Sequence, residues 1–220
     1  MTTAPHCRLD HIAVTAPDLA TGAAWVRDAL GAELQPGGAH PLMSTHNCLL
    51  RLGATIFLEV IAIDPAAPPP GRARWFELDE LPPDAAPRLA AWVARTGDLR
   101  ATTAASSEPL GEPVALARGD LRWSMAVPHG GRLTLGGAAP LLIEWRVGGE
   151  VASQLDDAGY ALRRLELHHP EPDRLAAVLR SIGLAPGPEA VEIAIAALPA
   201  GARPRLIVDI DTPHGPRRLG

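Results

Sequence analysis

Short apolar runs punctuated by proline and glycine fill the chain, a rhythm that predicts strands with a few interspersed helices. Leu9-Asp10-His11-Ile12-Ala13-Val14-Thr15-Ala16 is short, partly β-branched and closed by Pro17, the pattern of a strand. Asp18 then offers an N-cap for a helix through Trp25, Val26, Ala29 and Leu30, stopped by Gly31. Gly37-Gly38 predicts a turn, and strands follow over 45–52 and 55–63, joined at Gly53-Ala54. Beyond the rigid proline-rich connection 65–70, the pattern predicts a helix over 84–89 and a strand over 89–95. Asp98-Leu99 opens a short helix that Glu108-Pro109 must end. Strands are predicted at 113–117, 121–127 and 141–146. A last group comprises a strand over 162–168, a helix over 174–182 capped by Gly183, and strands over 191–196 and 205–211.

The order strand, Pro-Asp, helix, strands thus stands out at 9–63 and 162–211 and more weakly at 89–146. Such units bury their sheets only by pairing with one another.

Composition narrows the function. The 220 residues are 47% hydrophobic, so the chain can bury a core. Net charge is -5 and no basic stripe stands out, which argues against nucleic acid as a partner. All 20 basic residues are Arg, so Schiff-base, P-loop and general-base lysines are excluded together. Cys7 and Cys48 lack a zinc spacing and read as reduced thiols of a cytosolic protein. The N-terminus has no apolar signal core, and the run 55–63, broken by Glu59, falls far short of the roughly 18 residues of a membrane span. A cytoplasmic protein with no membrane partner is expected.

A few polar residues interrupt the predicted strands. His11 shares the parity of Leu9, Ala13 and Thr15, whereas Ile12 and Val14 face the other way. Glu59 and Glu144 sit in apolar strands, where a carboxylate is costly without a partner. Together they offer a donor set for Mn, Fe, Ni or Zn. The structural alternatives are a hydrogen-bonded core His11, a Glu59–Arg51 pair, and Glu144 at a strand edge. His46 and Asn47 carry groups suited to anchoring a carbonyl or hydroxyl, or to capping a strand start. His40 follows the double glycine and belongs to a pocket mouth or to loop surface. Trp75, Trp123 and Trp145 are candidate aromatic walls, or core filler. His168 and His169, adjacent on a strand, point to opposite faces and cannot share an ion. No Gly-x-Ser-x-Gly is present.

Leu9-Asp10-His11-Ile12-Ala13-Val14 with Pro17-Asp18-Leu19, Gly37-Gly38-Ala39-His40, Thr45-His46-Asn47-Cys48-Leu49-Leu50-Arg51-Leu52-Gly53 and Phe57-Leu58-Glu59-Val60-Ile61 resemble the glyoxalase-like domain of the vicinal oxygen chelate superfamily. The likeness extends through Arg95-Thr96-Gly97-Asp98-Leu99, Leu121-Arg122-Trp123 and Pro140-Leu141-Leu142-Ile143-Glu144-Trp145, about residues 8–146. The tail resembles a C-terminal extension of such proteins.

The resemblance implies an α+β fold. A glyoxalase-like domain (1–150) would pair two βαβββ modules, about 8–64 and 88–147, into an open, curled, mixed barrel-like sheet with flanking helices. A partial βαββ module (151–220) would pack on it. The tail's incomplete sheet would be completed within the chain or support a homodimer.

By the same resemblance, His11, Glu59 and Glu144 match metal-ligand positions. The fourth falls opposite His11 at Ala91, and nothing over 89–95 can bind a divalent ion. The implied function is a metal-assisted lyase, isomerase or dioxygenase acting on a small carbonyl or diol, with Glu59 or Glu144 moving a proton. The alternative is a metal-free protein that binds or sequesters a small ligand.

Overall fold

The computed structural model describes residues 6–147 and 151–220. The first unit comprises strand β1 (Cys7–Thr15), helix α1 (Leu19–Leu30), and strands β2 (Gln35–His40), β3 (Thr45–Arg51) and β4 (Phe57–Ile63). Asp18 caps α1 by accepting from the Thr21 amide at 2.8 Å, and Gly31 ends it in the left-handed region at φ 73°. The second unit repeats the order with β5 (Arg88–Thr96), α2 (Leu99–Ala105), β6 (Glu112–Arg118), β7 (Leu121–Val127) and β8 (Leu141–Val147). The third comprises β9 (Ala161–His169), α3 (Pro172–Ser181), β10 (Glu192–Ala197), β11 (Arg205–Thr212) and β12 (Gly215–Leu219).

The first two units form one eight-stranded mixed sheet, ordered β2-β3-β4-β1-β5-β8-β7-β6. Within each unit the first strand pairs in parallel with the last, β1 with β4 and β5 with β8, and the units join through antiparallel β1 and β5. The sheet curls until its edges, β2 and β6, approach each other. This is the open, curled α+β half-barrel that the resemblance implied.

Two apolar layers result. On the outer face, Ile12, Val14, Leu58, Val60 and Trp92 pack with α1, α3 and the third unit's sheet. Inside the curl, Ala13, Ile61, Val93, Leu116, Trp123, Met125 and Ile143 form a second cluster with Trp75 and Phe76.

Three expectations are corrected. Gly37-Gly38 lies within β2, where a bulge between Pro36 and Gly38 accommodates the glycines, so it is no turn. Residues 84–89 form no α-helix, because Pro82, Pro83 and Pro87 remove backbone donors. The tail has one strand more than expected: β12, rich in arginine and carrying Pro216, completes an edge of its own four-stranded sheet, ordered β10-β9-β11-β12. In that sheet β9 pairs directly with the next strand, β10, so the third unit does not repeat the topology of the first two. It is tied to the first unit by the Leu162 amide donating to the Leu52 carbonyl at 3.0 Å and the Tyr160 hydroxyl donating to the Gly31 carbonyl at 2.9 Å. Among the described residues, no helix is long and apolar enough to cross a membrane.

Candidate functional site

The inner layer of the curl opens into a cleft. His11, Glu59, Asn47, His40 and Arg118 supply its polar groups, and Trp75, Trp123, Trp145, Phe57 and Met125 form its apolar walls.

His11 reaches the cleft through a break in strand alternation. Leu9 pairs with Ala94 and His11 with Val93, so Asp10 is an extra residue on β1. Leu9 and Ile12 therefore both join the outer layer, and Asp10 and His11 both turn inward, which corrects the parity expected for Leu9. His11 Nδ1 lies 2.6 Å from Asp10 Oδ1, and its Nε2 lies 3.6 Å from Glu59 Oε2. The ring stacks on Phe57, with centroids 4.4 Å apart. Asp10 is fully buried and accepts from Arg95 Nε at 2.6 Å and from Trp145 Nε1 at 3.0 Å.

Glu59, on β4, pairs with none of the arginines: Arg51 donates instead to the Gly53 carbonyl. One Glu59 oxygen faces His11, and the other accepts from the Asn47 amide at 2.5 Å. Asn47 Oδ1 accepts in turn from Arg118 Nη1 at 3.3 Å. The backbone beneath Asn47 must be bare: a Cβ on Gly37 would stand 2.1 Å from Asn47 Oδ1. His40 places Nδ1 3.1 Å from Thr45 Oγ1, which also accepts from Trp75 Nε1 at 3.2 Å. Its Nε2 faces two donors, Asn47 at 3.5 Å and Arg118 at 3.4 Å, so Nε2 is the acceptor and the proton of the neutral ring sits on Nδ1.

Burial dominates the electrostatics. It opposes a charge on His11, but the Asp10 and Glu59 carboxylates outweigh it and hold the imidazole up at about 9. Burial likewise opposes ionisation of Glu59, and contacts with His11, His40 and Asn47 overcome it, bringing the carboxyl down to about 2. Asp10 is held below its ordinary value, since His11, Arg95 and Trp145 outweigh the burial that would raise it. His40 goes the other way: burial brings it down to about 4, only partly opposed by Glu59, so at neutral pH it is an uncharged acceptor.

The structure therefore brings His11, Glu59, Asn47, His40, Trp75 and Trp123 together, and separates two other candidates from them. Glu144 lies on the outer face of β8, where it accepts from the Leu99 amide at 3.0 Å at the start of α2 and pairs with Arg146 at 3.0 Å. Its neighbours Ile143 and Trp145 face the cleft instead, so Glu144 stands apart from His11 and Glu59, against the start of α2. His46 alternates with Asn47 and turns to a groove outside the curl, lined by Leu34, Pro36 and Cys48. Sequence reasoning passed over Asp10, Arg95 and Arg118. Asp10 carried a signal, a third carboxylate in an apolar strand, whereas Arg118 beside Gly119-Asp120 looks like any turn-flanking arginine.

Residues 9–183 match the glyoxalase-like domain family. The chain belongs to that family. It is thereby a member of the vicinal oxygen chelate superfamily, and the match runs through β9 and α3 of the third unit. A hypothetical protein from Staphylococcus aureus shares the fold, with a TM-score of 0.57 and 13% identity over 80% of this chain and 74% of that one. The Mn(II)-bound glyoxalase from Novosphingobium aromaticivorans aligns at 15% identity and a TM-score of 0.47, covering 90% of this chain and 62% of that one. A methylmalonyl-CoA epimerase in complex with methylmalonyl-CoA aligns at 15% identity and a TM-score of 0.43, covering 67% and 99%. No curated protein matches the chain.

The superfamily's metal chemistry can be tested against the donors this glyoxalase-like chain presents. Its cleft-facing strand positions are His11 on β1 and Glu59 on β4, but Val93 on β5, paired with His11, and Ile143 on β8. Two of these four are hydrocarbon. Among the described residues, no three His, Cys, Asp or Glu side chains converge as the ligands of one ion do. The donor set does not fit a resident divalent ion.

Proposed function

We propose that this glyoxalase-like protein binds a small, largely apolar organic molecule in the half-barrel cleft without a metal ion. The observation that carries this reading is the lining itself. Trp75, Trp123, Trp145, Phe57 and Met125 surround a short polar floor whose groups already satisfy one another. Ligand sites are of this kind, mostly apolar with a few fixed polar groups that set orientation. Asn47 and the neutral His40 hold each other in place at the polar end of the lining, and the His11–Asp10–Arg95 chain keeps the floor rigid.

The test is metal analysis and ligand binding on one preparation. Protein purified without chelator and dialysed against Mn, Fe, Ni and Zn in turn should retain well under one ion per chain. Naphthalene derivatives should quench the cleft indoles, and Trp123→Ala should weaken that binding. Near-stoichiometric metal that is lost in both His11→Ala and Glu59→Ala would sink the reading and return the site to metal-assisted chemistry.

A further inference from the structure

Among the described residues, the carboxylates of the cleft floor have direct partners. Asp10 is matched by Arg95 and His11, and Glu59 by His11 and the Asn47 amide. Arg118 has no such partner. It stands at the end of β6 and crosses the seam between the two sheet edges, passing so close over β2 that a Cβ on Gly38 would lie 2.9 Å from its Cδ. A guanidinium carries five N–H donors. Here Nη1 alone is engaged, with two neutral acceptors, Asn47 Oδ1 at 3.3 Å and His40 Nε2 at 3.4 Å. No carboxylate among the described residues lies in ion-pair range of it, although the chain has 25 acidic residues.

The nearby Glu59 favours the charge on Arg118 through space, without an ion-pair contact. The Asn47 side chain lies between them, its oxygen toward Arg118 and its nitrogen toward Glu59. Glu59 is thereby tied to the floor, and Arg118 also lines the cleft. A guanidinium without a direct ion pair offers a planar fork, which a carboxylate matches bidentately. Trp75, Trp123 and Trp145 line the same cleft.

We propose that the cleft selects small aromatic carboxylates, with the carboxylate on Arg118 and the ring among Trp75, Trp123 and Trp145. The proposal rests on reading the cleft as a ligand site and adds the class of ligand.

The probes are naphthoate and its neutral isostere naphthamide, titrated into the full chain by tryptophan fluorescence. A charge-assisted contact of ordinary strength predicts at least about tenfold tighter binding of naphthoate by the wild type. Arg118→Gln should remove that preference. Arg118→Lys, which keeps the charge but not the fork, should retain part of it. Equal affinity for the two probes in the wild type overturns the proposal and leaves the ligand-site reading standing. That comparison needs no variant to fold. If neither probe binds, and indole does not bind either, both readings fail. If the naphthoate preference survives intact in a folded Arg118→Gln, the carboxylate sits elsewhere and the proposal is overturned.

Discussion

Asp10 and His11 are adjacent in β1, yet their side chains meet at 2.6 Å on the same face of the sheet. A regular strand would send them to opposite faces. The bulge that unites them puts one fully buried carboxylate where it accepts from His11, Arg95 and Trp145 at once, so β1 of the first unit and β5 and β8 of the second share a single anion. Removing that anion would leave Arg95, itself nearly buried, without this partner. Asp10→Ala is therefore expected to cost about 3–5 kcal/mol in urea unfolding, the range for breaking a buried ion pair from one side. The Arg163–Asp211 pair is equally short at 2.6 Å, but both side chains are about half exposed. Asp211→Ala should cost under about 1 kcal/mol, and a larger loss there than at Asp10 would contradict this assignment.

The two ionised partners of the floor bound stability in pH. His11 is raised from 6.5 to about 9, so its contribution is complete below pH 6.5 and is lost as pH rises through 9. Glu59 is lowered from 4.5 to about 2, so its contribution is present above pH 4.5 and is lost as pH falls through 2. Thermal midpoints should therefore be highest between these limits and decline from pH 7 to pH 9.5. His11→Gln should flatten the alkaline decline. A decline of unchanged steepness in that variant would mean that some other group titrates there.

Much of this was legible in the sequence, for local reasons. Asp18 and Gly31 bracket α1 and Asp98 opens α2, because caps answer backbone groups left unpaired at helix ends. His11, Glu59 and Asn47 could be singled out because each interrupts a run that otherwise reads as core. What could not be read was which face each polar residue takes. In Leu141-Leu142-Ile143-Glu144-Trp145, apolar residues occupy both parities, so alternation cannot choose, and only the sheet's curl decides that Ile143 and Trp145 face inward. His46 and Asn47 pose the same ambiguity. The bulge at Asp10 defeats alternation outright, and β12 escaped notice because an edge strand tolerates Pro216 and its arginines.

Glu144 offers a direct test of its placement. As the acceptor for the Leu99 amide it caps α2 from outside the curl, so Glu144→Ala should cost about 1 kcal/mol, typical of a lost cap. Naphthoate affinity should stay unchanged. A variant of wild-type stability that loses ligand binding would put Glu144 back at the site.

Gly37 provides a test that acts through shape alone. Its φ is not in the left-handed region, so alanine meets no backbone strain there. The obstacle is Asn47, whose Oδ1 and Cγ would stand 2.1 and 2.9 Å from the added Cβ. Asn47 cannot yield without consequence, since its amide holds Glu59 and its oxygen accepts from Arg118. Gly37→Ala should therefore destabilise the fold by about 1–3 kcal/mol, the usual cost of overpacking, and should also weaken naphthoate binding by disturbing the contact that holds Arg118 across the seam. Gly71→Ala is the control, because a Cβ there meets nothing within 4 Å. If Gly37→Ala loses stability while naphthoate affinity is unchanged, Asn47 does not position Arg118 for the ligand. If neither quantity moves, β2 can shift enough to relieve the clash, and the two glycines are not what fixes the seam.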